Sequence, residues 1–320
     1  MFRARREASL EDFGEVLAPE EASEPILAKP VRAALLEWLT EIWAVEELAA
    51  VGLTARKRAL FDGPPGVGKT TLAHHLAARL GLTLVCVRPD RIIDCWLGKS
   101  AQNLGVLFDL AAAAEEANTP VILLFDEFDT IAAQRQHGSD PGGAQSERTA
   151  IVNSLLQRMD AHKGFIIAAS NHGREIDQAV WRRFEIQIEL KTPGQFERER
   201  ILARYLNPFK LPRAAMSELA VAFETATPAL MRQFCENMKR NIVVGPKAGW
   251  AMDKQSVIAR IIASVTPHAH CGKPRLWSHG VKDAAIPLIP WPLSTEIFDE
   301  PEEGEAMQLE SNVVSIGGRT

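Results

Sequence analysis

The sequence lacks most of what marks secreted, membrane or nucleic-acid-coating proteins. Its four cysteines, Cys86, Cys95, Cys235 and Cys271, lie far apart and form no C-x-x-C pair. A disulfide framework or a thiolate zinc site needs tighter grouping, so free thiols in a reducing cytoplasmic setting are the simplest reading. No apolar run approaches the ~18 residues of a membrane span. The first residues carry positive charge with no apolar stretch behind it, which argues against a secretory signal. An excess of basic residues is also missing. The net charge is −5, and residues 295–320 alone hold seven acids against one base. Removing that −6 leaves the body near +1, which argues against a strongly basic nucleic-acid face. There is no internal repeat.

What is present is ordinary for a globular chain. The 320 residues are 46% hydrophobic and 24% charged, enough for one large or two modest domains. Residues 1–29 are mixed and aperiodic and read as a flexible arm. Pro30 then suits a first helical position, and Leu35, Leu36, Trp38, Leu39, Ile42 and Trp43 follow at helical spacing to about residue 50. From residue 55 strand-length apolar runs at 58–61, 83–87, 121–125, 165–169 and 184–190 alternate with helical patterns at 69–80, 101–117 and 147–160. That alternation predicts an α/β fold, a parallel five-stranded sheet with helices on both faces. After Pro193 only helical patterns remain, at 194–206, 216–225 and 228–243, which predicts a small helical lid over residues 193–245. Residues 246–320 read as an extension, rich in proline and tryptophan and then acidic and disordered.

The chemistry concentrates at the ends of the apolar runs. Gly63, Pro64, Pro65, Gly66, Val67, Gly68, Lys69 and Thr70 fit G-x-x-x-x-G-K-[ST], between a short strand and a helix that continues through Thr71. The glycines let successive N–H groups turn inward onto a polyphosphate, and the helix N-terminus adds partial positive charge. Lys69 would reach the β- and γ-phosphates and Thr70 would sit on Mg²⁺. The run 121–125 ends in Asp126-Glu127, 57 residues after Lys69. A carboxylate there suits Mg²⁺ through water, and its neighbour suits a general base, so Asp126 is assigned to the metal and Glu127 to water activation. Asp129 reads as structural. The next strand ends at Ser170-Asn171, which brings Asn171 to the same crevice. Arg182 and Arg183 form a basic pair before the last strand; alone, such a pair reads as a solvated face.

Together these residues resemble the AAA+ ATPases, and within them the AAA family proper, over roughly residues 50–245. Residues 63–70 look like its Walker A, 121–127 its Walker B, Asn171 its sensor 1 and 176–184 the end of its second region of homology. Arg182-Arg183-Phe184, without an intervening Pro-Gly, is similar to the katanin and spastin type. The resemblance implies a nucleotide-binding domain over 30–192, ATP and Mg²⁺ as ligands, ATP hydrolysis, and Arg182 and Arg183 acting across a subunit boundary in a ring, expected to be a hexamer. It places Trp96, Leu97 and Gly98 as a pore loop that grips polypeptide; the competing reading makes Trp96 a core anchor of the following helix. It places Arg232 where a lid arginine faces nucleotide. Asp62, immediately before the phosphate loop, departs from the family pattern.

These readings predict a cytoplasmic, homo-oligomeric protein remodeller or unfoldase. It resembles stand-alone bacterial AAA ATPases that work with a separately encoded peptidase or adaptor. The alternative is a nucleic-acid-linked AAA+ ATPase, such as a helicase loader or transposition regulator, which the near-neutral body disfavours. His268, His270 and Cys271 do not furnish a tetrahedral metal site by themselves.

Overall fold

The structure is a computed structural model that describes residues 8–94, 98–133 and 143–295. Its centre is a sheet of six strands: β1 (Gly14–Leu17), β2 (Arg58–Asp62), β3 (Thr83–Val87), β4 (Val121–Phe125), β5 (Phe165–Ser170) and β6 (Ile186–Glu189). Their order across the sheet is β1-β3-β4-β5-β2-β6. The five strands β2 to β6 are parallel, in agreement with the alternation of the sequence. β1 adds a sixth, antiparallel strand, pairing Gly14 with Val87 and Leu17 with Leu84. Residues 10–28, read as part of a loose arm, are therefore partly built into the sheet. Phe13 is buried, and Arg88 N–H donates to its carbonyl at 3.1 Å.

The inner parallel strands are buried on both faces, as continuous apolar runs require, while the edge strand β6 alternates buried Ile186 and Ile188 with exposed Gln187 and Glu189. In β4 the side chains alternate between two cores. Leu123 and Phe125 join the core beneath α3 (Lys99–Glu116) and α4 (Gly143–Ala161). Ile122 and Leu124 join the core beneath α1 (Lys29–Trp43) and α2 (Lys69–Leu80), with Trp38, Leu72 and Leu76. The periodic stretch 30–50 is not one helix. It breaks at Ala44 and resumes as a short helix, Val45–Ala50. α2 stops at Gly81 in the left-handed region (φ 67°), an ordinary helix terminator.

The helical lid contains α5 (Gln195–Leu206), α6 (Arg213–Ala222), α7 (Pro228–Val244) and α8 (Lys254–Ser264). Here the boundary expected at residue 245 does not match the packing. Leu219, Phe223, Phe234 and Met238 share one core with Val257, Ile261, Leu276, Trp277, Ile286 and Ile289. Trp277 packs edge-on against Phe223 and Phe234, at centroid distances of 5.4 and 6.2 Å. Its indole N–H donates to Val265 O at 2.6 Å. Arg275 bridges Glu218 and the fully buried Asp283. The described part of the proline- and tryptophan-rich segment is thus lid core. The acidic tail from residue 296 lies outside the described residues. Among the described residues no helix is long and apolar enough to cross a membrane.

The segment 275–291 is held by this aromatic cluster, so Trp277→Ala is expected to cost about 3–5 kcal/mol. Chemical denaturation followed by circular dichroism reads the loss. An unchanged midpoint would mean that the segment is not part of the lid core.

Candidate functional site

The parallel sheet places the C-terminal ends of β2, β4 and β5 along one edge, and each ends in a residue with chemistry. β2 runs into the phosphate loop. Gly63, Gly66 and Gly68 all have positive φ (152°, 78° and 99°), and Gly68 is the N-cap of α2. The loop therefore turns its amides toward the mouth of the helix, as a polyphosphate cradle requires.

Lys69, the first residue of α2, is buried. Its ammonium donates to Gly63 O at 2.7 Å, Pro64 O at 3.1 Å and Asn171 Oδ1 at 2.7 Å. Those three acceptors match its three N–H donors. Burial pushes its pKa below the usual lysine value, while the charges of Asp126, Asp62 and Asp129 work in the opposite direction. The Thr70 hydroxyl donates to Asp126 Oδ2 at 2.8 Å. A hydroxyl and a carboxylate side by side at a phosphate cradle are oxygen donors of the kind a hard divalent cation takes, so this pair fits Mg²⁺. Among the described residues no group of three or more His, Cys, Asp or Glu side chains gathers elsewhere as a metal site.

Glu127 follows with φ 48°, in the left-handed region that a side-chain-bearing residue seldom adopts. Its N–H is held by Asp126 Oδ1 at 2.9 Å, and its own side chain is exposed beside the cradle. Asp129 turns the other way. It accepts from Ser170 Oγ at 2.7 Å and from Asn171 N–H at 3.3 Å, and so fixes the loop that presents Asn171. One cleft of about 320 Å³ is lined by Lys69, Thr70, Asp126, Glu127 and Asn171 together with lid residues Tyr205, Pro228, Ala229 and Arg232. Arg232 is exposed there, pairs with Glu236 at 2.7 Å and lies 5.9 Å from the Tyr205 ring centroid.

Arg182 and Arg183 are not equivalent. Arg183 makes a two-pronged pair with Asp160 (3.1 and 3.0 Å) and donates to Ala179 O at 2.8 Å. The Arg182 side chain is exposed and has no hydrogen-bond or ion-pair partner among the described residues. It lines a different cleft, with Asp62, Gly173, Gln178 and Trp181. Of the three residues expected to form a pore loop, Trp96 and Leu97 lie outside the described residues. Gly98 is the left-handed N-cap of α3 (φ 78°), and the buried Ser100 hydroxyl accepts from Asp94 N–H at 3.0 Å, which pins the base of that loop.

The sequence reading placed Arg232 on the lid side of the site but missed how the lid is joined to the phosphate loop. Thr227 caps α7, and Ala229 N–H donates to Gly66 O at 3.1 Å, a direct bond from lid to phosphate loop. It also missed an apolar notch formed by Ile26, Leu27, Val67 and Pro228. The N-terminal strap reaches it after bonding α2 (His74 Nε2 to Ala18 O, 2.8 Å) and α5 (Arg204 to Glu24 O, 2.5 Å). Proline at the first helical position after Thr227 was a usable signal; the strap carried none.

This fold and cradle define an α/β P-loop nucleotide-binding module with a helical lid. Residues 59–192 match the model of the ATPase family associated with various cellular activities (AAA), so this region is an AAA domain. It is 40% identical over 186 residues to the uncharacterized AAA family ATPase y4kL of Sinorhizobium fredii, covering 57% of this chain and 53% of that protein. It is 32% identical over 197 residues to the ATP-dependent zinc metalloprotease FtsH 1 of Symbiobacterium thermophilum, covering 59% and 32%. With the FtsH of Heterosigma akashiwo it shares 34% over 175 residues, covering 53% and 26%. The chain thus spans about half the length of one of these relatives and a third or less of the others.

A Cβ on Gly66 would lie 2.8 Å from the Ala229 methyl, at a φ that L-residues avoid. Gly66→Ala should therefore push lid and loop apart and weaken binding of a fluorescent ATP analogue roughly tenfold, about 1.4 kcal/mol. Equal affinity in a direct titration would show that the Ala229–Gly66 contact does not shape the site.

Proposed function

We propose that the protein hydrolyses ATP to ADP and phosphate within a ring of identical subunits, expected to be a hexamer, and uses the cycle to remodel polypeptides. The observation that carries this reading is the separation of Arg182 from the cradle. The groups that bind phosphate and activate water share one cleft, while the unpaired guanidinium faces another. A charge stabiliser placed there serves a neighbour's site and not its own.

In this scheme the triphosphate takes over Lys69 from Gly63 O and Pro64 O. Asn171 Oδ1, released from the ammonium, becomes an acceptor for the attacking water. The Glu127 carboxylate removes the water proton as oxygen bonds to the γ-phosphorus and the bond to the β–γ bridging oxygen breaks. Mg²⁺ held by Thr70 and Asp126 would neutralise charge on the β- and γ-oxygens. Arg182 of the adjacent subunit stabilises the same charge, and Arg183 could join it only by leaving Asp160. The base would lie in the notch of Ile26, Leu27, Val67 and Pro228. Arg232 and Tyr205 face the phosphate side from the lid and would report nucleotide state to it.

The polypeptide reading rests on the aromatic–aliphatic–glycine sequence at 96–98, anchored at Ser100, and on the FtsH relatives, whose names describe ATP-dependent proteases. We place the protein in the cytoplasm, with a separately encoded peptidase or adaptor as its partner.

Two measurements test the scheme. R182A and K69A subunits, each inactive alone, should regain a substantial part of wild-type turnover when mixed, because each supplies what the other lacks. No recovery at any ratio would exclude shared sites. Unfolded polypeptide should stimulate wild-type turnover, and Trp96→Ala should bring the stimulated-to-basal ratio down to about one. Stimulation by DNA in place of polypeptide would favour the nucleic-acid-linked alternative.

A further inference from the structure

Asp62 stands immediately before the phosphate loop, and its surroundings give it a task. It is the last residue of β2 and directly precedes Gly63, whose carbonyl takes the Lys69 ammonium. Its backbone is fixed from both sides. Asp62 stands opposite Ser170 of β5 and Glu189 of β6, and Leu190 N–H donates to its carbonyl at 2.7 Å. The carboxylate therefore projects from a rigid point. Its Oδ1 accepts from Gly173 N–H at 3.1 Å. The fit is close: a Cβ on Gly173 would lie 2.7–2.9 Å from the three carboxyl atoms of Asp62. A side chain at position 173 would displace the carboxylate from this place.

Gly173 opens the turn Gly173–Glu175, and the turn leads to Arg182 by a short, well-pinned path. Ile176 bridges to Ala133, Asp177 N–H donates to Ala132 O at 2.8 Å, and the Asp177 carboxylate caps the helix Gln178–Trp181 through Ala179 N–H at 2.9 Å. Arg182 ends that helix. From Asp177 onward the path is tied to the sheet layer. Its beginning carries the local bonds Glu175 N–H to His172 O and Ile176 N–H to Gly173 O, the bond from His172 N–H to Ser170 Oγ at 3.0 Å at the end of β5, and the bond from Gly173 to Asp62, which ties the turn to the strand that carries the phosphate loop. Asp62 and Arg182 also line the same cleft.

We infer that Asp62 is a positioning residue for the arginine: it registers the turn that aims Arg182 against the strand that carries the phosphate loop. One hydrogen bond then sets two reactive centres in relation, the site in its own subunit and the finger offered to the next. This inference rests on the shared-site reading proposed above.

The test uses donor and acceptor subunits. R182A subunits bind and position ATP but offer no guanidinium. K69A subunits offer the guanidinium from a disabled phosphate loop, so a further change at Asp62 in them cannot act through their own nucleotide site. R182A mixed with K69A/D62A should recover about tenfold less turnover per co-assembled subunit than R182A mixed with K69A, while K69A/D62N, which keeps an acceptor oxygen, should return to within about twofold. That rescue separates a lost hydrogen bond from a lost fold. A D62A donor as good as K69A, or a D62N donor as poor as D62A, overturns the role of Asp62. Failure of the plain R182A and K69A mixture instead refutes shared sites and removes the inference with them.

Discussion

A buried ammonium with three acceptors organises this molecule. Placing a charge away from water is tolerated only when it is fully hydrogen-bonded. Lys69 reaches that state through two carbonyls of its own loop and the amide oxygen of Asn171, 102 residues further on. Those partners meet only if β2 and β5 are neighbours in parallel, with Asp62 opposite Ser170. The sheet order and register are thus prerequisites of the site. Thr70 and Asp126 extend the same constraint, because their hydrogen bond joins the start of α2 to the end of β4.

Around this edge the chain builds two devices that hold the mouth of the site. The lid bonds directly to the phosphate loop through Ala229, and its core is closed by residues as late as Ile289. The N-terminal strap begins as β1 on the far edge of the sheet and ends between the layers, with Ile26 packed against the lid core and Leu27 against the sheet core. A shift of the lid relative to the sheet must therefore be felt both at Gly66 and along the strap. That geometry is what a nucleotide-driven lid movement would act through.

The pair Arg182-Arg183 shows how adjacent, chemically identical residues acquire different work. The helix that precedes them spans only Gln178–Trp181. Successive positions at its end point in different directions, so Arg183 meets Asp160 and Ala179 while Arg182 emerges into the open cleft. A fork-shaped guanidinium held by a carboxylate at two points is a structural cation. The unpaired one is the group we propose as the finger.

The parallel strands, the phosphate loop, the acidic strand end and Asn171 were all legible in the sequence, because each depends on local order: apolar runs, glycines at set spacing, a carboxylate directly after a buried strand. α2 in particular begins and ends where its glycines require. The antiparallel β1 was not legible, since four residues without alternation become a strand only when the edge of β3 offers them hydrogen bonds. Nor was the membership of residues 275–291 in the lid, where proline-broken sequence hides the fact that Trp277 completes an aromatic cluster with partners some 40 and more residues earlier. Composition and spacing set the elements and the reactive groups. Which arginine stays free, what Asp62 holds and where the chain's ends are tied were decided by long-range contacts alone, because hydrogen bonds and packing depend on distance in space and leave no periodicity along the chain.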